Sequence, residues 1–248
     1  EFKILNYPVT QCCICSEGLV ATVSEDSKKV TWYNDNEIFA EYILPNFQPI
    51  SITKLEKENK VVVGDKRGSV YRLKPNLKPK IDDIIDLFAG SSVTSLINFD
   101  SDITIAISKN GEIKSVNFFK IEDINDKDVK IIRSVNKIHN DVIGYSLGKS
   151  RDFIICGRSL YGNAKWTIVV VRGDDSREVV IETQEAINYI AGSRDGEFIC
   201  VVFNNSVSCY RKSDEHWSLF CNGSGVVTQI TACQIGLFFV VFKEIGLF

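Results

Sequence analysis

Methionine is absent from the 248 residues, proline occurs only five times and histidine only twice. With 44% hydrophobic residues and 16 glycines beside so few prolines, disorder, collagen and mucin-like stalks are excluded, and the composition is that of a globular chain with a large core. Neither sign of charge dominates. Lys and Arg total 29 against 32 Asp and Glu, so no global field draws the chain to nucleic acid or to an anionic membrane, and any nucleic-acid role would be local or borrowed from a partner. Long apolar runs are missing too. The run over 235–242 falls far short of the roughly 20 residues of a membrane helix, and no signal or lipidation pattern is visible. The eight cysteines contain a single C-x-x-C spacing, Cys12 to Cys15, and no second such pair, which argues against a disulfide scaffold and for reduced, mostly buried thiols in a nuclear or cytoplasmic protein.

Catalytic patterns are likewise lacking. His139 and His216 lie in different parts of the chain, and no G-x-S-x-G, H-E-x-x-H, phosphate-loop or G-x-G-x-x-G motif occurs in a strand-to-helix context. We therefore expect no enzymatic activity, no cofactor and no resident metal.

What is present is a succession of short apolar runs, rich in Val, Ile, Phe and Tyr and bounded by Gly, Asn, Asp and Ser, which predicts strands throughout. One segment, 81–88 (IDDIIDLF), fits two helical turns and a strand equally well. The strands repeat as a set. A first unit places strands over 11–16, 19–24, 29–33 and 38–44; a second over 50–55, 60–64 and 69–73; a third over 93–98, 103–107 and 112–117. Tight turns at 25–28, 65–68 and 108–111 separate the second and third strands of these units. Further units start near 142, 186 and 226.

A period of about 40–50 residues is that of a four-stranded propeller blade, whereas sandwiches space their turns by about 8–12 residues without a higher repeat. The fold class expected is all-β, a WD40-like β-propeller of four-stranded antiparallel blades, six or seven in number, forming a single domain over 1–248. About five and a half blades are countable, and residues 1–7 read as an outer strand of the kind that closes a ring. With methionine lacking even at position 1 and a strand pattern still running at Phe248, we expect the sequence to be a fragment, or to lack segments of the native chain.

Individual residues carry competing readings. His139, just before an innermost strand, reads as a structural histidine, and His216 beside Trp217 as a surface residue next to a packed aromatic. Cys12, Cys13 and Cys15 could suggest zinc, but strand alternation puts Cys13 and Cys15 on one face without a second ligand pair, so buried small hydrophobes are the better reading. The basic residues Lys54, Lys57, Lys60, Lys66, Arg67, Arg72, Lys74, Lys78 and Lys80 read as solvated turns. If several share one rim, they would steer an acidic partner or contact phosphates.

Four strings resemble the WD-repeat, non-catalytic subunit of the heterodimeric tRNA (guanine-N7) methyltransferase. The turn Ser24-Glu25-Asp26-Ser27-Lys28-Lys29 is similar to that family's first-blade turn, and the segment from Lys60 to Tyr71 to its V-A-D-K-x-G-D-V-Y blade. Ser108-Lys109-Asn110-Gly111-Glu112-Ile113-Lys114 stands where the family has its docking turn D-R-D-E-x-I-[RK]. It matches at Ile113 and Lys114, with Lys109 in place of the Arg and Ser108 and Asn110 in place of acids. The segment from Val207 to Trp217 is similar to a late-blade Leu-Tyr-Arg…Asp-x-Trp stretch, while 160–190 has no counterpart.

The resemblance implies a hetero-oligomer in which this chain carries no methyl-donor site, binds the catalytic methyltransferase subunit and holds it in its active shape. Lys66, Arg67, Lys109, Glu112 and Lys114 are then the expected partner-binding residues, any tRNA contact is indirect or weak, and no membrane is involved. On that reading Lys114→Glu weakens partner binding without lowering the melting temperature. Two other classes compete: a structural propeller in a coat, kinetochore, nuclear-pore or ubiquitin-ligase assembly, and a direct phosphopeptide or RNA reader with clustered cations and aromatics.

Overall fold

The computed structural model describes residues 9–15, 18–24, 26–34, 37–45, 48–55, 60–75, 80–100, 103–118, 129–132, 140–148, 152–158, 165–174, 176–214, 216–232 and 238–242. Two compact units divide the chain, residues 1–134 and 135–248.

In the first unit, three four-stranded sheets follow one another. They are β1 (Gln11–Ile14), β2 (Val20–Val23), β3 (Lys29–Asn34) and β4 (Glu37–Ile43); β5 (Pro49–Lys54), β6 (Val61–Asp65), β7 (Ser69–Lys74) and β8 (Lys80–Asp86); and β9 (Val93–Asp100), β10 (Ile103–Ser108), β11 (Ile113–Asn117) and β12 (Val129–Ile132). The second unit repeats the plan with β13 (Asn140–Leu147), β14 (Asp152–Arg158), β15 (Trp166–Val171) and β16 (Arg177–Thr183), then β17 (Ile187–Gly192), β18 (Phe198–Phe203), β19 (Ser206–Lys212) and β20 (Trp217–Ser224). A two-stranded sheet follows, of β21 (Val227–Ala232) and β22 (Phe238–Phe242). Every sheet is an antiparallel meander in chain order, and within each unit the first strand of one sheet lies against the first strand of the next.

This stacking explains why strand sequences differ by position. A second strand has a neighbour on each side and is buried almost without interruption, which its residues reflect: VVVGD in β6, ITIAIS in β10, FICVVF in β18. Outer strands have one neighbour and are mostly exposed or half-buried, as in EIFAEYI of β4 and REVVIET of β16. Alternation along β6 sends Val61 and Val63 into a core shared with the first sheet, around Trp32, Leu44 and Tyr71, and Val62 into the core shared with the third, around Phe88, Val93 and Phe118. In the second unit Ile154, Ile168 and Val170 meet Ile199, Val201 and Phe203. Each fully buried side chain of this size contributes about 1.5–3 kcal/mol by leaving water.

The segment left open between helix and strand is the strand β8, pairing Tyr71 with Ile84 and Val70 with Ile85. Without it β7 would bury an unpaired edge, a cost that short-range helical periodicity cannot offset. Among the described residues there is no helix, and hence none long and apolar enough to cross a membrane. His139 lies outside the described residues. His216 is exposed, its carbonyl accepting from the Ser213 backbone N–H at 2.8 Å, while Trp217 packs against the second unit's core. Cys12 is exposed, whereas Cys13 and Cys15 pack against the first sheet's core.

Candidate protein-docking rim

In an antiparallel meander the turn between the second and third strands, and the linker from the fourth strand to the next sheet, leave at the same edge. In the first unit that edge carries the turns 65–68 and 108–111 and the linker 87–92.

Asp65 builds the first of these turns. Its buried carboxylate accepts the Arg67 backbone N–H at 2.8 Å and the Ser69 N–H at 3.0 Å through Oδ1, while the Tyr71 hydroxyl donates to Oδ2 at 2.8 Å. Burial, reinforced by the adjacent Asp65 carboxylate, pushes the Tyr71 phenol well above its ordinary value. Gly68 closes the turn at φ +98°, and its carbonyl accepts the Leu87 and Phe88 N–H groups at 3.0 and 3.1 Å. In the second turn Ser108 stands in for the aspartate: its hydroxyl accepts the Glu112 N–H at 3.0 Å, and its carbonyl the Gly111 N–H at 3.0 Å.

Ser92 joins the two turns. Its hydroxyl donates to the Lys66 carbonyl at 2.9 Å, and its own carbonyl accepts the Lys109 N–H at 2.8 Å. Lys66, Arg67, Lys109 and Glu112, all exposed, are thereby set on one rim by a common hydrogen-bonded frame. Sequence reasoning missed Ser92. Its signal is positional, a hydroxyl residue immediately before the first strand of a unit.

Lys114 is placed differently. It is half-buried on β11, its ammonium donates to the Leu87 carbonyl and sits 5.1 Å from the Phe88 ring centroid, so it clamps the linker rather than extending from the rim. From this placement, and unlike the sequence-based expectation, Lys114→Glu is expected to lower the melting temperature. The basic run also divides. Lys66 and Arg67 lie at one edge of the second sheet, and Lys54, Lys60 and Lys74 at the opposite strand ends. Arg72 is buried, donating from Nη1 to the Phe118 carbonyl at 3.2 Å. Lys57 and Lys78 lie outside the described residues. Among the described residues, no three His, Cys, Asp or Glu side chains converge as a metal-binding group.

No protein-family model matches the chain, and no curated protein matches its sequence. Solved structures do resemble it. The β-propeller domain of Cps50 (Swd1) from Myceliophteria thermophila superposes with a TM-score of 0.68 at 12% identity, over 92% of this chain and 76% of that one. The WD40 domain of Toxoplasma gondii coronin gives 0.70 at 11%, over 92% of this chain and 64% of that one. A functionally unknown protein from Desulfotomaculum acetoxidans gives 0.63 at 15%, over 92% and 73%. At such identities the likeness speaks for the fold alone, and it agrees with the sheets described: the chain has an all-β, WD40-like β-propeller fold of four-stranded antiparallel blades.

Proposed function

We propose that the chain is a non-catalytic scaffold that docks a protein partner on the rim of Lys66, Arg67, Lys109 and Glu112, and that this partner is the catalytic subunit of a tRNA (guanine-N7) methyltransferase. The observation that carries the docking reading is the Ser92 bridge, which holds two cation-bearing turns in one rigid frame. Rigid presentation lowers the ordering cost of binding, and mixed charges of this kind set orientation and partner choice more than net affinity. The choice of partner rests on the resemblance of the four strings. Lys114 acts here through the linker it clamps, not by touching the partner.

A second reading, a structural propeller within another large assembly, draws on a different observation. The outer strand β4, at the end of the first sheet, exposes the large apolar side chains Ile38, Phe39 and Ile43. Affinity purification of the tagged chain with mass spectrometry, coupled to a guanine-N7 assay on tRNA, separates the two. A stoichiometric methyltransferase whose activity requires both chains is the expected result; a many-subunit assembly without one would overturn the choice of partner and favour the second reading.

A further inference from the structure

Three cysteines form a row across the second unit. In the register of β18, β19 and β20, Cys200 lies directly opposite Cys209, and Cys209 directly opposite Cys221. Directly opposed residues of an antiparallel pair project from the same face, with Cβ atoms about 4.5–5.5 Å apart. The row runs from the core to solvent: Cys200 and Cys209 are buried, Cys221 is exposed, and Cys221 is close enough to add to the upward shift of the Cys209 thiol.

We propose that Cys221 and Cys209 form a dithiol site that low-molecular-weight disulfides oxidise to a cross-strand disulfide between β20 and β19. Access sets the order of events. The Cys221 thiolate, its proton released to water, attacks one sulfur of the small disulfide; a bond from Cys221 Sγ to that sulfur forms, the reagent's S–S bond breaks, and one thiolate leaves and is protonated. Cys209 then loses its proton and attacks Cys221 Sγ, forming the Cys209–Cys221 bond and expelling the second small thiolate, which takes up that proton. The dithiol has given two electrons, and two small thiols have been made.

The geometry suits the second step. A disulfide needs Cβ atoms about 3.5–4.5 Å apart, roughly 1 Å closer than an ideal opposed pair. β20 is an outer strand held by one neighbour, and a register irregularity falls beside Cys209, so a small approach disturbs little else. Burial pushes the Cys209 thiol up to about 12, with the charge and hydrogen bond of Cys221 adding to it. Capping Cys221 as a mixed disulfide removes both contributions from Cys221, while burial, the larger cause, remains.

The test treats the whole chain with glutathione disulfide and maps cysteines by mass spectrometry without reduction. The wild type is expected to yield a Cys209–Cys221 cross-linked peptide reversible by dithiothreitol. Cys209→Ala is expected to stop at a mixed disulfide on Cys221, and Cys221→Ser to yield neither product at this site. Cys12, exposed but opposite Thr22, provides an internal comparison and is expected to give a mixed disulfide and no cross-strand disulfide. In oxidised wild type, amide exchange across β20 slows relative to the reduced protein, a readout independent of any variant. A persistent Cys221 mixed disulfide in the wild type, or unchanged β20 exchange after full oxidation, would overturn the proposal.

Discussion

At Gly68 two constraints coincide: φ is +98°, and a Cβ would be driven into the Phe88 carbonyl, which is fixed backbone. Gly68→Val is therefore expected to cost about 2–4 kcal/mol in urea unfolding, since strain and collision add. Gly90, at φ +77° with nothing within 4 Å of its missing Cβ, separates the two effects; Gly90→Ala is expected to cost only about 1–2 kcal/mol. Tyr71 supplies a pH signature. Its phenol is raised on folding, so its contribution is fully present below the unfolded value of about 10 and is lost as pH rises beyond it. Tyr71→Phe should remove that part of the alkaline loss of stability, while costing about 1–2 kcal/mol at neutral pH because Asp65 Oδ2 loses its donor. Gly68 could be read from the Asp-x-x-Gly spacing alone, because turn chemistry is local. The direction of Lys114 could not, since a lysine stem long enough to reach either solvent or a buried carbonyl is decided by its neighbours.

Among elements, the strands were largely legible because a half-buried or fully buried strand writes its burial into its own residues. β8 was not, because IDDIIDLF satisfies two periods and only the waiting edge of β7 selects one. The links between sheets were the least legible. Lys114 on β11 holds the linker that follows β8, and Arg72 on β7 reaches the Phe118 carbonyl at the end of β11, so each sheet reaches the other through a buried or half-buried cation. Lys114→Glu is expected to lower stability by about 1–3 kcal/mol, having lost a donor and a ring contact and placed a carboxylate against a carbonyl. Lys109→Glu, on the exposed turn, is expected to stay within about 0.5 kcal/mol of wild type. Thermal melts of the two variants side by side check this contrast.

For the molecule as a whole, the repeat of about 40–50 residues was enough to identify the fold class, because a propeller multiplies one unit and the sequence multiplies its pattern. The docking rim was legible only in part. Its residues come from separate sheets, and the Ser92 bridge that unites them is signalled only by position, a hydroxyl residue just before the first strand of a unit. Reversing Lys66, Arg67 and Lys109 together to Glu is expected to slow partner association at least tenfold at low salt, with the difference shrinking near 1 M salt, where screening falls to about 3 Å. Association kinetics across a salt series measure this directly.

The composition of β20 has a consequence for handling the protein in concentrated solution. Its eight residues, WSLFCNGS, hold no charge and no proline and leave Leu219 and Phe220 exposed, whereas the outer strands β4 and β16 carry two and three charged side chains respectively. An uncharged outer strand with unsatisfied backbone groups is a template on which a second chain can add, and the usual deterrent is a lysine. Leu219→Lys should therefore raise the concentration at which light scattering first detects self-association, at little cost in stability.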